Sequence, residues 1–350
     1  MLPPFMDPTP PPNPSQQLLE QISSYWISQI IGVAARLRLS DLLASGPLSS
    51  DALAPRVGAN PDGLYRLMRA GVAAGLFTEV PPRTFTLTPL GACLRSEVPG
   101  SMRDMAITLT APGHWRPWTD LFTAVQTGRS TVRGALGANI WEHFEKNPEE
   151  ASHFDRAMGA FSSFVATEVA RLHDFSRYAR VADVGGSQGV LLAAVLRAYP
   201  SCRGILFDLP HVIDGARAQV EAEGLSQRMD LVAGSFFEPV IPAAEAYLLK
   251  HILHDWDDAS STAILRQIHR AALPGARLIV VEMVLPDGGE PSRAALMDLN
   301  MLVLADGRER TAREYEALLT RAGWALERIT PAPSGVNLIE ARKQVTPADS

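Results

Sequence analysis

At 350 residues the chain has room for roughly two domains, and 46% hydrophobic with 20% charged residues excludes a disordered or fibrous protein. A net charge of −6 gives no electrostatic reason to expect a nucleic acid or an anionic membrane as partner. Two widely separated cysteines, Cys93 and Cys202, supply neither a disulfide framework nor a metal quartet, which fits a reducing cytoplasm.

In chain order, residues 1–14 form a tail rich in proline (Pro3, Pro4, Pro8, Pro10, Pro11, Pro12, Pro14), without the charged start and apolar stretch of a signal peptide. Residues 15–38 read as one amphipathic helix, with Leu18, Leu19, Ile22, Trp26 and Ile30 on one face. A short helix over 48–55 follows, then a helix over 61–74 opened by Pro61, then a hairpin of 76–80 and 85–88. Helix, helix and hairpin make a winged-helix arrangement. Residues 1–105 hold eight arginines, eight acids and no lysine, so the basic excess of a DNA reader is missing. A structural or dimerising module is the better reading of 15–105, with a cofactor-sensing DNA regulator as the alternative.

Residues 106–172 are helical, punctuated by Gly113, Gly128 and Gly134 to Gly137. Asn147-Pro148 opens a longer helix whose Phe154, Met158, Phe161 and Phe164 serve as plain core or, as a group, line an apolar pocket. Beyond 172 strand and helix alternate. Strands are expected at 180–185, 203–209, 229–233, 246–252 and 277–284, with helices near 188–199, 211–224 and 258–273. This predicts an α/β domain over 173–350 built on a parallel sheet. A helix over 311–322 and a hairpin of 326–329 and 336–341 then add an antiparallel edge.

Chemistry-bearing residues gather where strands end. Gly185, Gly186 and Gly189 follow the first strand, and Asp208 ends the second, as for a ligand with a ribose. The order Asp183-x-Gly185-Gly-Ser-x-Gly189 departs from G-x-G-x-x-G. Asp183 would oppose a pyrophosphate but suit an ammonium or sulfonium, which favours S-adenosylmethionine over NAD. His254 stands at a strand-to-helix joint, with Asp257 and Asp258 able to cap the helix. His251 and His254 raise the question of a metal, and a magnesium-dependent enzyme is an alternative. Residues three apart on a strand face opposite sides, so the expectation is that they share none.

These segments carry a resemblance. Val181–Gly189, Phe207-Asp-Leu-Pro210, Gly234-Ser-Phe-Phe237, Leu249–Asp258, Met297-Asp-Leu-Asn-Met301 and Gly307-Arg-Glu-Arg-Thr311 resemble the plant-type (caffeate and hydroxyindole-like) O-methyltransferase family, in its bacterial small-molecule branch. The resemblance implies a Rossmann-like class I methyltransferase sheet, an N-terminal winged-helix dimerisation domain (15–105) and a helical linker (106–172) contributing to the substrate pocket. It further implies S-adenosylmethionine as cofactor, S-adenosylhomocysteine as product, no metal, and a homodimer with no nucleic-acid or membrane partner. Asp183, Gly185, Gly186, Asp208, Leu209, Ser235, Phe236 and Lys250 would bind the cofactor, with Asp208 on the ribose and Ser235 and Phe236 beside the adenine. His254 would be the general base, held or polarised by Glu282 and Glu309. Trp115, Met158, Phe161, Asp255, Asn300 and Met301 would meet a flat aromatic acceptor. The expected reaction is methyl transfer to a phenolic hydroxyl, with N-, C- or S-methylation, or a repurposed activity on the same fold, as alternatives.

Overall fold

The computed structural model describes residues 13–80 and 82–344, so most of the proline-rich tail lies outside the described residues. Among the described residues twelve strands run in chain order: β1 (Leu48–Ser49), β2 (Phe77–Val80), β3 (Thr84–Leu87), β4 (Arg180–Val184), β5 (Arg203–Asp208) and β6 (Met229–Ala233), then β7 (Ala246–Lys250), β8 (Arg277–Glu282), β9 (Val284–Leu285), β10 (Arg310–Thr311), β11 (Trp324–Pro331) and β12 (Asn337–Lys343). The chain divides into two compact units. One comprises Met1–Pro112 with Ser152–Ala157, the other Gly113–Ala151 with Met158–Ser350.

The first unit packs short helices on a small antiparallel sheet of order β1-β3-β2. The helix expected over 15–38 is interrupted: Pro14–Ser23 ends and Tyr25–Arg36 begins on either side of Ser24. Ser23 Oγ donates to Leu19 O at 2.8 Å and Ser24 Oγ to Gln21 O at 2.7 Å, and such side-chain bonds compete with the helical ladder. Residues 48–56 likewise split into β1, the helix Ser50–Leu53 and a 3₁₀ turn. The helix Pro61–Ala73 starts as expected, with Asn60 Oδ1 accepting from Gly63 N at 2.9 Å. Leu39, Leu53, Leu64, Met68, Phe77 and Phe85 form its buried core.

The second unit is built on a seven-stranded sheet of order β11-β12-β8-β7-β4-β5-β6. β6, β5, β4, β7 and β8 are parallel neighbours, while β12 runs antiparallel to β8 and β11 to β12. Both faces are covered. Val181, Leu206, Leu248 and Ile279 point into one core with the helix Val190–Ala198, and Ala182, Phe207, Leu249 and Val280 into another with the helices Asp258–Ala271 and Ala312–Arg321. Strands buried on both faces explain the near-continuous apolar runs in the sequence. The carboxyl ends of β4, β5, β7 and β8 therefore deliver Gly185, Asp208, His251 and Glu282 to one rim.

Some elements that bear on the site escaped the sequence reading. The helix Arg293–Ala305 lies across the segment containing Asn300. β9 and β10 form a short parallel ladder that pairs Val284 with Arg310, which brings the 307–311 segment back to the end of β8.

Candidate active site

β7 stops at Lys250 rather than running to Ile252 because His251 adopts a left-handed backbone, φ 53°, that breaks the ladder. A single 3₁₀ turn, Leu253–Asp255, then carries His254 before Asp257 caps the next helix by accepting from Ser260 N at 2.8 Å. Since neither histidine lies on a strand, the opposite-face expectation fails: their rings sit 5.0 Å apart. No group of three or more His, Cys, Asp or Glu is placed to hold a metal among the described residues.

The turn is fixed from three directions. Arg310, fully buried, donates through Nη1 to Leu253 O at 2.9 Å and through Nη2 to Trp256 O at 2.8 Å, while its Nε meets Asp258 Oδ1 at 3.0 Å. Arg308 N donates to His254 O at 2.8 Å. Gly307 makes this approach possible, since a Cβ there would lie 2.1 Å from His254 O. Glu282 Oε1 accepts from Ile252 N at 3.1 Å and Leu253 N at 2.6 Å, and its Oε2 accepts from Tyr315 Oη. Glu282 thus holds the backbone leading to His254 rather than its ring.

The ring itself is held by Glu309. His254 Nδ1 and Glu309 Oε1 are 2.9 Å apart, and Nε2 lies 3.6 Å from Asp255 Oδ1, too far for a good hydrogen bond. Burial pushes the imidazole down, but the Glu309 hydrogen bond and the charges of Glu282 and Asp255 outweigh it and raise the pKa to about 9. Glu309 is pushed up by burial against the pull of His254, and its Oε2 has no partner among the described residues. The result is a strong base whose Nε2 is not taken by a hydrogen bond.

Beside it lies the glycine loop. Gly185 has φ 73°, and a Cβ there would fall 2.5 Å from Ile252 Cδ1 and 3.7 Å from Phe236 Cε1, so β4, the segment after β6 and the His254 turn converge. A Cβ on Gly186 would lie 2.7 Å from Asp183 Oδ2. Ser187 tolerates the left-handed region at φ 52° while its N–H meets Asp208 Oδ2 at 2.8 Å; the Leu209 N–H meets Asp208 Oδ1 at 2.7 Å. Asp183 is buried, its Oδ2 unpartnered among the described residues; burial and then the Asp208 charge raise its pKa to about 7, against the pull of Lys250. Burial lowers Lys250 despite Asp183 and Glu282. Phe236 packs on Trp256 at 6.1 Å, and Ser235 Oγ accepts from Phe237 N at 3.3 Å. A buried carboxylate oxygen without a donor, next to glycines that leave room, fits a cationic cofactor with a ribose.

The acceptor-side residues are less uniform. Phe161 reaches the site, its ring 5.7 Å from that of His251, and Met158 is partly exposed one turn earlier. Phe164, expected with them, is 58% exposed: the buried side of its helix carries Val165, Ala166 and Val169, with Phe161 partly buried, which turns 164 outward. Asn300 Oδ1 accepts from Trp118 Nε1 at 2.9 Å, and His114 also hydrogen-bonds Asn300. Burial holds His114 down at about 4. Trp115 is half-buried between these two residues, and Met301 is half-buried next to Asn300. Trp118 and His114 were missed, although their four-residue spacing puts them on one helical face.

Comparison with known proteins decides the family. Residues 118–325 match the O-methyltransferase domain, and residues 19–97 match the O-methyltransferase dimerisation domain. The chain belongs to the O-methyltransferase family. This methyltransferase is 40% identical over 328 residues to the phenazine O-methyltransferase PhzM of Lysobacter antibioticus, covering 94% of this chain and 96% of that protein. It superposes on the crystal structure of LaPhzM with a TM-score of 0.88 at 40% identity, over 95% of this chain and 100% of the other. It also matches NcsB1, an O-methyltransferase from neocarzinostatin biosynthesis solved with S-adenosylmethionine and 2-hydroxy-5-methyl naphthoic acid. That match has a TM-score of 0.80 and 32% identity, covering 93% and 98% of the two chains. The enzyme is a methyltransferase dependent on S-adenosylmethionine, with the class I sheet and an N-terminal dimerisation domain.

Proposed function

We propose that this methyltransferase transfers a methyl group to an ionising hydroxyl of a flat aromatic secondary metabolite, with His254 as general base. The observation that carries the reading is the His254–Glu309 pair: Nδ1 is held at 2.9 Å while Nε2, on the rim where the glycine loop lies, is left for a proton. S-Adenosylmethionine supplies an electrophilic methyl on a sulfonium sulfur. Gly185, Gly186 and Asp183 would hold its cationic methionine portion, Asp208 with Leu209 the ribose, and Ser235, Phe236 and Lys250 the adenine end. The aromatic acceptor is supported by the phenazine and naphthoic acid named for the relatives, by Phe161 beside His251, and by the Trp118–Asn300 pair anchored on the helix Arg293–Ala305.

The chain's own work is to orient the acceptor and take its proton. Removing a proton from a phenol of pKa ~10 at pH 7 costs roughly 4 kcal/mol. A base near 9 almost matches the phenol, so the transfer itself is nearly level; the cost is that only ~1% of the free enzyme holds His254 neutral at pH 7. Glu309 would stabilise the imidazolium once formed, and Glu282 with Arg310 would keep the turn in register. Holding the oxygen in line supplies up to ~7–11 kcal/mol in favourable cases.

The same reading makes the enzyme a homodimer. Leu18, Leu19, Ile22 and Trp26 are each more than half exposed on the helices that open the dimerisation domain, an apolar face that a second copy would cover. Methyl transfer from labelled cofactor, with the product mass and the methylated atom identified, tests the activity. H254A should lower kcat by about 100- to 10,000-fold with a phenolic acceptor, and a near wild-type rate would overturn the base role.

A further inference from the structure

His251 is not explained by the proposed chemistry. Both of its ring nitrogens are shielded from solvent and neither has a hydrogen-bond partner among the described residues, an expensive state for a polar side chain. The ring lies 5.0 Å from that of His254 and 5.7 Å from that of Phe161, so it neighbours both the proposed base and an aromatic residue of the proposed acceptor side. The backbone that places it there is left-handed at φ 53° in a residue with a Cβ, and local strain of this kind persists where surrounding structure imposes it. A continued strand would have carried the ring elsewhere.

We propose that the His251 imidazole is a second hydrogen-bonding point of the acceptor site, selecting aromatic acceptors that carry an oxygen or nitrogen substituent on the carbon next to the reacting hydroxyl. The inference rests on the acceptor reading given above. Two oxygens on neighbouring aromatic carbons lie about one hydrogen-bond length apart, ~2.7 Å, so one can face His254 and the other His251. Burial, then the charges of His254 and Lys250, hold His251 well below the usual histidine range and keep it neutral. A neutral imidazole offers one donor and one acceptor, so it meets a hydroxyl, an amine or a carbonyl and does not compete with His254 for the proton. A shared metal is the other use of two close histidines, and no group of three ligands is arranged to hold one among the described residues.

The test compares 2,3-dihydroxynaphthalene with 2-naphthol as acceptors for wild type, H251F and H251N, measuring kcat and KM with labelled cofactor and Kd in the presence of S-adenosylhomocysteine. Wild type should favour the diol by about tenfold, beyond the statistical advantage of its two equivalent hydroxyls, chiefly through KM and Kd. H251F should reduce the preference to the statistical value, and H251N, which keeps a donor and an acceptor, should retain part of it. An indifferent wild type, a wild type that binds neither acceptor, an unchanged ratio in H251F, or an H251N that behaves as H251F would each overturn the proposal. If wild type binds both naphthols but moves no methyl group, the proposed function fails, and the Kd ratio still decides for or against His251.

Discussion

Two buried acids with different surroundings set the character of the rim. Asp183 sits in low dielectric with an unpartnered oxygen, while Glu309 spends one oxygen on His254. A carboxyl raised from 3.8 to about 7 binds its proton more tightly in the folded state, so its effect on stability is most favourable below pH 3.8 and is lost as pH rises towards 7. D183N should therefore stabilise the cofactor-free enzyme at pH 8, by an amount on the order of a few kcal/mol, and weaken cofactor binding. Thermal melts with and without S-adenosylmethionine check this; a less stable cofactor-free variant counts against it. His254, Glu309 and Asp208 were legible in the sequence because each follows an apolar run or lies in a motif. The orphaned nitrogens of His251 were not, since a left-handed residue that is not glycine leaves no mark in the sequence. Glu282 was legible as a rim acid but not as the anchor of Ile252 and Leu253 N–H groups, because backbone partners have no sequence signal.

Among the elements, the 3₁₀ turn Leu253–Asp255 depends on a segment more than fifty residues later in the chain. Its register is set by Gly307 and Arg310 through the β9–β10 ladder. G307A puts a methyl group into His254 O, so the turn or the loop must shift; kcat should fall by ~100-fold while cofactor affinity is retained. Activity equal to wild type would show that the contact relaxes freely. R310M keeps an apolar stem but leaves the carbonyls of Leu253 and Trp256 without their donor, and urea unfolding should report a loss of about 2–3 kcal/mol. The alternating strands of the sheet were readable from their buried apolar runs. The β9–β10 ladder of two residues per strand was too short to leave a pattern, and the break at Ser24 hides inside a hydrophobic periodicity that continues across it.

Across the whole molecule, a net charge of −6 and an exposed apolar helical face argue for self-association rather than for binding DNA. Light scattering should give twice the mass of the chain, and the double variant I22D/W26D should shift the enzyme towards monomer; a monomeric wild type contradicts the proposed dimer. The winged-helix pattern alone could not separate these roles; the equal count of arginines and acids in residues 1–105 weighs against DNA, and the match to a dimerisation domain supports the other role. The central claim joins both scales below: a base raised by Glu309 takes the acceptor's proton beside the methyl donor. Its most direct test is the pH dependence of kcat/KM for one phenolic acceptor in wild type and E309Q. The folded enzyme holds its His254 proton up to about 9, so the wild-type rate should climb with pH until that point and then level. E309Q removes the carboxylate charge and leaves only a neutral amide oxygen to accept from Nδ1, so the break should move to lower pH with a lower plateau. A break at the same pH in both enzymes, or a flat profile in wild type, would contradict the account.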